Sequence, residues 1–232
     1  MYLRSSLVLM ALAAVTAMQP VVTGVRPALS RRHPLAAGVR PALPRRHLLA
    51  AGSALLLSPL VPANTRAAEP LADIVEPQLA YRLRVPSDWK EAPKPVKTHL
   101  HEALLASPDG RGVKIGITVD PVKIDSLEAF GTLQQVTDRV LAVEAGRDGV
   151  NRVDLRATAA QGADVESGTP SYYTIEYATD SSRGKKVYCC KYCITARKLY
   201  VLQAQAKQDA FDGDEAVRSQ LRAVVESFTV GA

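Results

Sequence analysis

The three cysteines of the chain, Cys189, Cys190 and Cys193, lie within five residues of one another. The sequence around them is typical of a β-strand, which would place Cys189 and Cys193 on one face and Cys190 on the other. In an extended strand Cys190 and Cys193 are too far apart for a disulfide. There is no second cysteine pair to complete a four-ligand zinc site. The pattern therefore predicts three part-buried thiols, with a redox role or an intermolecular disulfide or metal site as alternatives.

Histidine, the other residue of catalytic and metal sites, is scarce. Only His99 and His101 follow residue 68. Two residues apart on a strand, they would share a face and form a two-ligand metal corner, with Glu102 nearby. Structural metal sites need further fixed ligands, so a solvated strand face is the alternative. No Ser/His/Asp or Cys/His arrangement can be assembled, and we predict no catalytic residues and no enzyme activity.

An acidic cluster near the C-terminus raises the question of calcium. Its members are Asp209, Asp212, Asp214 and Glu215. Calcium loops supply about six oxygens from a dedicated segment, and the twelve-residue pattern of such loops is absent. Acids at this spacing are instead typical of the start of a helix. We therefore predict helix caps here.

A group of basic residues surrounds a predicted hairpin in the last third of the chain and is the candidate partner-binding surface. Its members are Lys185, Lys186, Lys191, Arg197 and Lys198. Such a group could form a positive patch that docks on an acidic partner, and the alternative is an ordinary solvated hairpin end.

The charge of the chain divides sharply after Ala68. Residues 1–68 carry no Asp or Glu but eight arginines, whereas the other 164 residues hold all 23 acids against 21 Lys and Arg. An acid-free, arginine-bearing start is typical of targeting segments. The overall charge of +6 therefore belongs to the leader, and it gives no support for binding nucleic acid.

The leader has three parts. Residues 1–18 contain an apolar run too short to span a bilayer and resemble a secretory signal. Residues 19–44 form a basic transit region that contains the first copy of a 14-residue repeat. Residues 45–68 resemble a twin-arginine signal, with Arg45 and Arg46 before an apolar stretch and small residues Ala67 and Ala68 at the cleavage site. This order predicts the thylakoid lumen of a secondary or later plastid.

The sequence after the leader predicts a short N-terminal arm at residues 69–76 and then one α+β domain over residues 77–232. Residues alternate in strand fashion at 79–85, 113–119, 173–177, 187–194 and 199–206, and more weakly at 99–106 and 153–158. Apolar residues at helical spacing predict helices at 125–146 and 212–228. Hairpin-connected strands with two helices indicate an antiparallel β-sheet covered by helices. Trp89, Tyr173, Tyr200 and Phe228 are expected in the core.

Five segments of this domain form an ordered set of short motifs. They are the tyrosine-to-tryptophan opening at 81–89, the strand at 113–121, the paired-tyrosine strand at 169–177, the KLY…AQ strand at 198–206 and the SF pair within 226–228. In this order they resemble the PsbP family of thylakoid lumen proteins. The chain departs from the family in having Phe211 where a tryptophan is usual, and in its short arm. It is therefore similar to the divergent PsbP-like members.

The resemblance implies an α/β/α sandwich and a non-catalytic protein extrinsic to the thylakoid membrane. It would associate with lumenal subunits of photosystem II, supporting calcium and chloride retention at the oxygen-evolving complex or photosystem assembly. No bound cofactor, no nucleic acid and a monomer are expected. The alternative function is a lumenal redox protein that uses Cys189, Cys190 and Cys193.

Overall fold

The computed structural model describes residues 71–92, 99–109 and 112–231. The predicted targeting segments, with Arg45, Arg46, Ala67 and Ala68, lie outside these residues. The described residues all belong to one compact unit.

The described residues form ten strands and four helices. The strands are β1 (Leu71–Glu76), β2 (Tyr81–Pro86), β3 (Lys90–Glu91), β4 (His101–Ala106), β5 (Lys114–Pro121), β6 (Val150–Gln161), β7 (Tyr172–Ser181), β8 (Gly184–Thr195), β9 (Lys198–Lys207) and β10 (Thr229–Val230). The helices are α1 (Leu127–Phe130), α2 (Leu133–Ala145), α3 (Gln208–Gly213) and α4 (Glu215–Ser227).

The strands form two antiparallel sheets. The large sheet has seven strands in the order β3-β4-β5-β9-β8-β7-β6, and the small sheet has the order β1-β2-β10. The meander from β6 to β9 begins at one edge of the large sheet and carries the paired tyrosines on β7 and the cysteines on β8. Side chains on both faces of β8 are buried, because a separate hydrophobic core lies on each side of the sheet.

Both faces of the large sheet are covered. The small sheet, α3 and α4 pack on one face, with Leu83, Leu221 and Phe228 in the shared core. Helices α1 and α2 pack on the other face around Val136, Val140 and Ile175. The predicted α+β fold, an antiparallel sheet between helical layers, is confirmed.

The four aromatic residues expected in the core are all buried. The exposed fraction is 8% for Trp89, 7% for Tyr173, 2% for Tyr200 and 0% for Phe228. Rings of this size remove a large apolar area from water, which makes them major contributors to the stability of the two cores.

The helix predicted over 125–146 is interrupted. Gly131, with φ 148°, follows α1, and Thr132 then caps α2 in a capping box with Gln135. Ser126 caps α1 by accepting a hydrogen bond from the amide of Ala129. Both helices pack on the same face of the sheet, and the apolar spacing therefore continues across Gly131. For this reason the spacing of apolar residues alone does not reveal the break.

The N-terminal arm expected at 69–76 is also revised, since residues 71–76 form β1. Its residues pair with β2 from Leu71 opposite Pro86 to Glu76 opposite Tyr81. Leu71 and Val75 point to solvent while Ile74 packs against the core, which is the alternation of an edge strand. Among the described residues, no helix is long and apolar enough to cross a membrane.

Candidate docking surface

The cysteines occupy both cores and form no disulfide. Cys189 and Cys193 lie in the core beneath α4, and Cys190 lies in the core beneath α2, as the strand pattern predicts. Burial raises the pKa of Cys190 and Cys193 to about 12, and burial with the nearby Glu176 charge raises the pKa of Cys189 further. Since the thiolate is the reactive form, these thiols are poorly suited to redox chemistry.

A buried carboxylate anchors α4 to the sheet. Glu176 on β7 accepts hydrogen bonds from Arg222 Nε at 3.0 Å and Nη2 at 3.1 Å, and the thiol of Cys189 donates to it at 3.5 Å. The Arg222 guanidinium also lies 5.6 Å from the centre of the Phe211 ring. The guanidinium of Arg222 thus compensates the charge of the buried Glu176 carboxylate.

The acidic cluster near the C-terminus has structural roles. Asp214 caps α4 through the amides of Ala216 and Val217. Asp212 instead binds both terminal nitrogens of Arg156, at 2.6 and 3.1 Å. Asp209 accepts from the amide of Ala210, and Glu215 bonds to Arg218 and Ser219.

The two histidines bind different partners. His99 precedes β4, and its Nδ1 lies 2.6 Å from a carboxylate oxygen of Asp120 on β5. His101, the first residue of β4, shares a 2.8 Å hydrogen bond with the hydroxyl of Tyr81. Burial is the main reason why the pKa of Tyr81 is raised to about 12. Across the described ranges, no three His, Cys, Asp or Glu side chains cluster as metal ligands would.

Lys191 does not belong to the surface patch that the sequence predicts. It is 5% exposed, and its ammonium group donates to the carbonyl oxygens of Glu226 at 3.0 Å and Phe228 at 2.8 Å, above the ring of Tyr172. Burial lowers its pKa. These two hydrogen bonds connect the end of α4 to β8, and they satisfy an ammonium group that is buried because α4 covers this face of the strand.

The other four predicted cations separate into two groups at opposite ends of β8. Lys185 and Lys186 follow the β7–β8 turn, whereas Arg197 and Lys198 lie at the β8–β9 turn. Eleven residue steps at about 3.4 Å put the two turns about 37 Å apart. This distance is several Debye lengths, so the groups cannot act as one patch. Arg197 is moreover paired with Asp125 at 3.4 Å.

The β7–β8 turn borders a groove of about 530 Å³, which we call the basic groove. It is lined by Arg183, Gly184, Lys185, Lys186, Lys207, Gln208, Asp209 and Asp212. Four of these residues are cationic and two are acidic. Lys186 and Lys207 stand directly opposite each other on β8 and β9.

Four cations that line one concave surface produce a local positive potential, which attracts acidic groups. The basic groove is therefore the arrangement best suited to docking an acidic partner. Sequence reasoning missed Lys207, and its place at the end of the KLY…AQ strand, opposite the predicted lysines, was the available signal.

Comparison with known proteins identifies the family. The chloroplastic PsbP domain-containing protein 2 of Arabidopsis thaliana is 26% identical over 175 residues, which cover 73% of this chain and 70% of that protein. The solution structure of cyanobacterial PsbP from Synechocystis superposes with a TM-score of 0.57 at 18% identity, over 75% of this chain and all of the other.

The Ran-binding protein Mog1p of Saccharomyces cerevisiae matches more weakly, with a TM-score of 0.43 at 12% identity over 70% of this chain and 96% of that one. The PsbP family model matches residues 71–230, well over half of the sequence, and the chain therefore belongs to the PsbP family.

Proposed function

We propose that this protein is a non-catalytic extrinsic protein of the thylakoid lumen that docks on lumenal subunits of photosystem II. There it would support the oxygen-evolving complex, through retention of calcium and chloride, or assist photosystem assembly. Membership of the PsbP family carries the proposal, and the chloroplastic relative and the order of the targeting signals support the location. The calcium and chloride would be held at the manganese cluster in other subunits.

The basic groove is the proposed docking surface. It combines four cations with a concave shape, and its rim lies at a hairpin turn that a partner can reach without disturbing either core. Lys185 is paired with Asp180 at 3.5 Å, but both side chains are mostly or partly exposed, and such pairs are worth little in water. An acidic surface on a photosystem subunit could therefore replace that pair.

The redox alternative has less support. All three thiols are buried and have raised pKa values, and Cys190 faces the core opposite to that of the other two. Cys189 and Cys193, on one face, are four strand residues apart, about 13 Å along the strand, well beyond the Cα separation that a disulfide allows.

Charge reversal tests the docking surface. The double substitution Lys185→Glu with Lys186→Glu changes the groove from four cations and two acids to two cations and four acids. We expect retention on thylakoid membranes to fall strongly, and moderate salt to release the wild-type protein, because exposed charges are screened within about 8–10 Å.

The matched control is Arg197→Glu with Lys198→Glu, which makes the same change of charge at the far turn. Retention of both double variants at the wild-type level would exclude the basic groove from docking. An equal loss from both would indicate attraction by net charge instead of a defined surface.

The proposed location has a separate test in the leader. N-terminal sequencing of the lumenal protein should find a start near Glu69, directly after the acid-free segment. Replacing Arg45 and Arg46 with lysine should stop import into the lumen, whereas the same change at Arg31 and Arg32 should not. A mature start before Arg45 would contradict the targeting argument.

A further inference from the structure

The basic groove keeps a net positive charge after the ion pairs around it are counted. Asp212, one of its two acids, binds Arg156 at 2.6 and 3.1 Å, and Arg156 does not itself line the groove. The hydrogen bonds from Arg156 lower the pKa of Asp212 and offset its charge from outside the groove. Lys185 is paired only with the partly exposed Asp180, an interaction worth little in water. The groove is therefore a site for negative charge.

The cations of the basic groove start from both faces of the sheet. Lys185 and Lys186 are successive residues of β8, so their side chains leave the strand on opposite faces. Lys207 on β9 stands directly opposite Lys186 and shares its face. The alkyl chain of Lys207 lies along Gly112, where an added Cβ would be 3.3 Å from its Cγ. The groove therefore offers positive charge on two sides of one concave space.

We propose, on the basis of the docking role above, that the basic groove holds an extended acidic segment of the partner, a loop or chain end with at least two carboxylates. Successive side chains of an extended chain point to opposite sides. One carboxylate would therefore replace Asp180 at Lys185, and the next would lie near Lys186 and Lys207. A volume of about 530 Å³ falls within the range of about 300–1,000 Å³ for enclosed binding sites, which suits a few residues of extended chain.

A lipid surface fits the basic groove less well than an extended chain does. Arg183 and Lys185 are exposed at the β7–β8 turn, where a broad flat surface would meet them. Lys186 and Gln208 also line the groove but are partly buried. A flat bilayer would not reach them, whereas a single extended chain can enter the concave space. The shape of the groove therefore favours a peptide segment.

Asp209 makes the basic groove selective for segments that carry several charges. Its exposed carboxylate lines the groove and accepts a hydrogen bond from the amide of Ala210. A negative group that enters the groove is repelled by Asp209, so it binds well only when it carries enough charge to engage several of the cations. This repulsion favours a segment with two or more carboxylates over a lone anion. Replacing Asp209 with asparagine should therefore tighten the binding of an acidic segment.

Fluorescence anisotropy of the purified protein with labelled peptides tests the proposal. The probe is the peptide Gly-Glu-Asp-Glu-Gly with blocked ends, and its uncharged control is Gly-Gln-Asn-Gln-Gly. We expect the acidic peptide to bind at low salt, and the amide peptide to bind about tenfold more weakly or not at all. Salt at about 1 M, where the Debye length is about 3 Å, should remove the difference.

Variants of the protein locate the bound peptide. Lys207→Glu should weaken binding of the acidic peptide by about fivefold or more, and Asp209→Asn should strengthen it by about twofold or more, because each changes the charge inside the groove. Lys123→Glu is the matched control, since Lys123 is an exposed lysine that follows β5 at the other end of the sheet. It should leave the affinity for the peptide unchanged.

Three results would overturn the proposal. They are equal affinity for the acidic and amide peptides, an equal effect of Lys207→Glu and Lys123→Glu, and displacement of the peptide by the same concentration of succinate or of vesicles of an anionic phospholipid. These measurements use no thylakoids, so they are separate from the test of the proposed function. Peptide binding by a protein that never migrates with photosystem II would reject only that function. Retention that depends on Lys185 and Lys186 without any peptide binding would reject only the acidic segment.

Discussion

Removing the hydroxyl of Tyr172 should destabilise the protein by about 1–3 kcal/mol, because a buried backbone donor would lose its acceptor. Tyr172 is buried on β7, and its hydroxyl accepts from the amide of Val230 on β10 at 2.8 Å. It also lies 3.5 Å from the carbonyl oxygen of the same residue. The hydroxyl therefore links the small sheet to the large one.

The substitution Tyr172→Phe isolates that link. The phenyl ring keeps its packing and its position under the ammonium group of Lys191, 4.5 Å from the ring centre, so only the hydrogen bonds change. For a domain of this size each kcal/mol lowers Tm by about 2–4 °C. The expected decrease in Tm is therefore about 2–12 °C.

Urea unfolding and calorimetry would measure this loss, and the neighbouring residue supplies the control. Tyr173 donates to the carbonyl oxygen of Gly131 at 3.1 Å in a part-buried contact, so Tyr173→Phe should cost only about 0.5–1.5 kcal/mol. The urea m-value should not change in either variant. A Tyr172→Phe protein as stable as wild type, or less affected than Tyr173→Phe, would refute the proposed link between the sheets.

Three further predictions concern the two cores. Phe228→Ala should cost about 3–5 kcal/mol in urea unfolding, since the ring is completely buried against Tyr81 and α4, and a loss below about 1 kcal/mol would contradict that burial. Alkylation followed by mass mapping should label Cys189, Cys190 and Cys193 only after unfolding, and labelling of the native protein would reopen a redox role. Burial raises the pKa of Glu144 above its usual 4.5 in the folded protein, so the folded state binds this proton more tightly than the unfolded state does. The contribution of Glu144 to the free energy of unfolding therefore increases as pH falls towards 4.5. Glu144→Gln should remove this pH dependence when the free energy of unfolding is measured against pH. The same pH dependence in the variant and the wild type would contradict the raised pKa.

The main features of the fold could be predicted from local sequence, because they depend on period and capping. Alternation in β5 places Ile115, Ile117 and Val119 inside, and the stripe of α4 likewise points into the core. The break at Gly131 could not be predicted from the apolar spacing of residues 125–146. The helices before and after Gly131, α1 and α2, both contribute to the same buried face, so the spacing continues across the break. The Thr132–Gln135 capping box was the local signal for it.

The candidate surface was predictable only in part. Assigning Lys191 to the surface assumed that one face of β8 is open to solvent. In the structure α4 packs on that face, and Lys191 is buried. Lys207 joins Lys186 because β8 and β9 pair in one particular register. The burial of Lys191 depends on what packs on the sheet, which sequence spacing does not give, whereas the position of Lys207 follows once the register of the β8–β9 hairpin is known.

The most direct test of the proposed function is native gel electrophoresis of thylakoid membranes, with the protein detected by antibody. We expect the protein to migrate with a photosystem II complex or its assembly intermediate. The Lys185→Glu/Lys186→Glu variant should be lost from that band, and the Arg197→Glu/Lys198→Glu variant should be kept. Migration of the wild-type protein entirely apart from photosystem II would refute the proposed function.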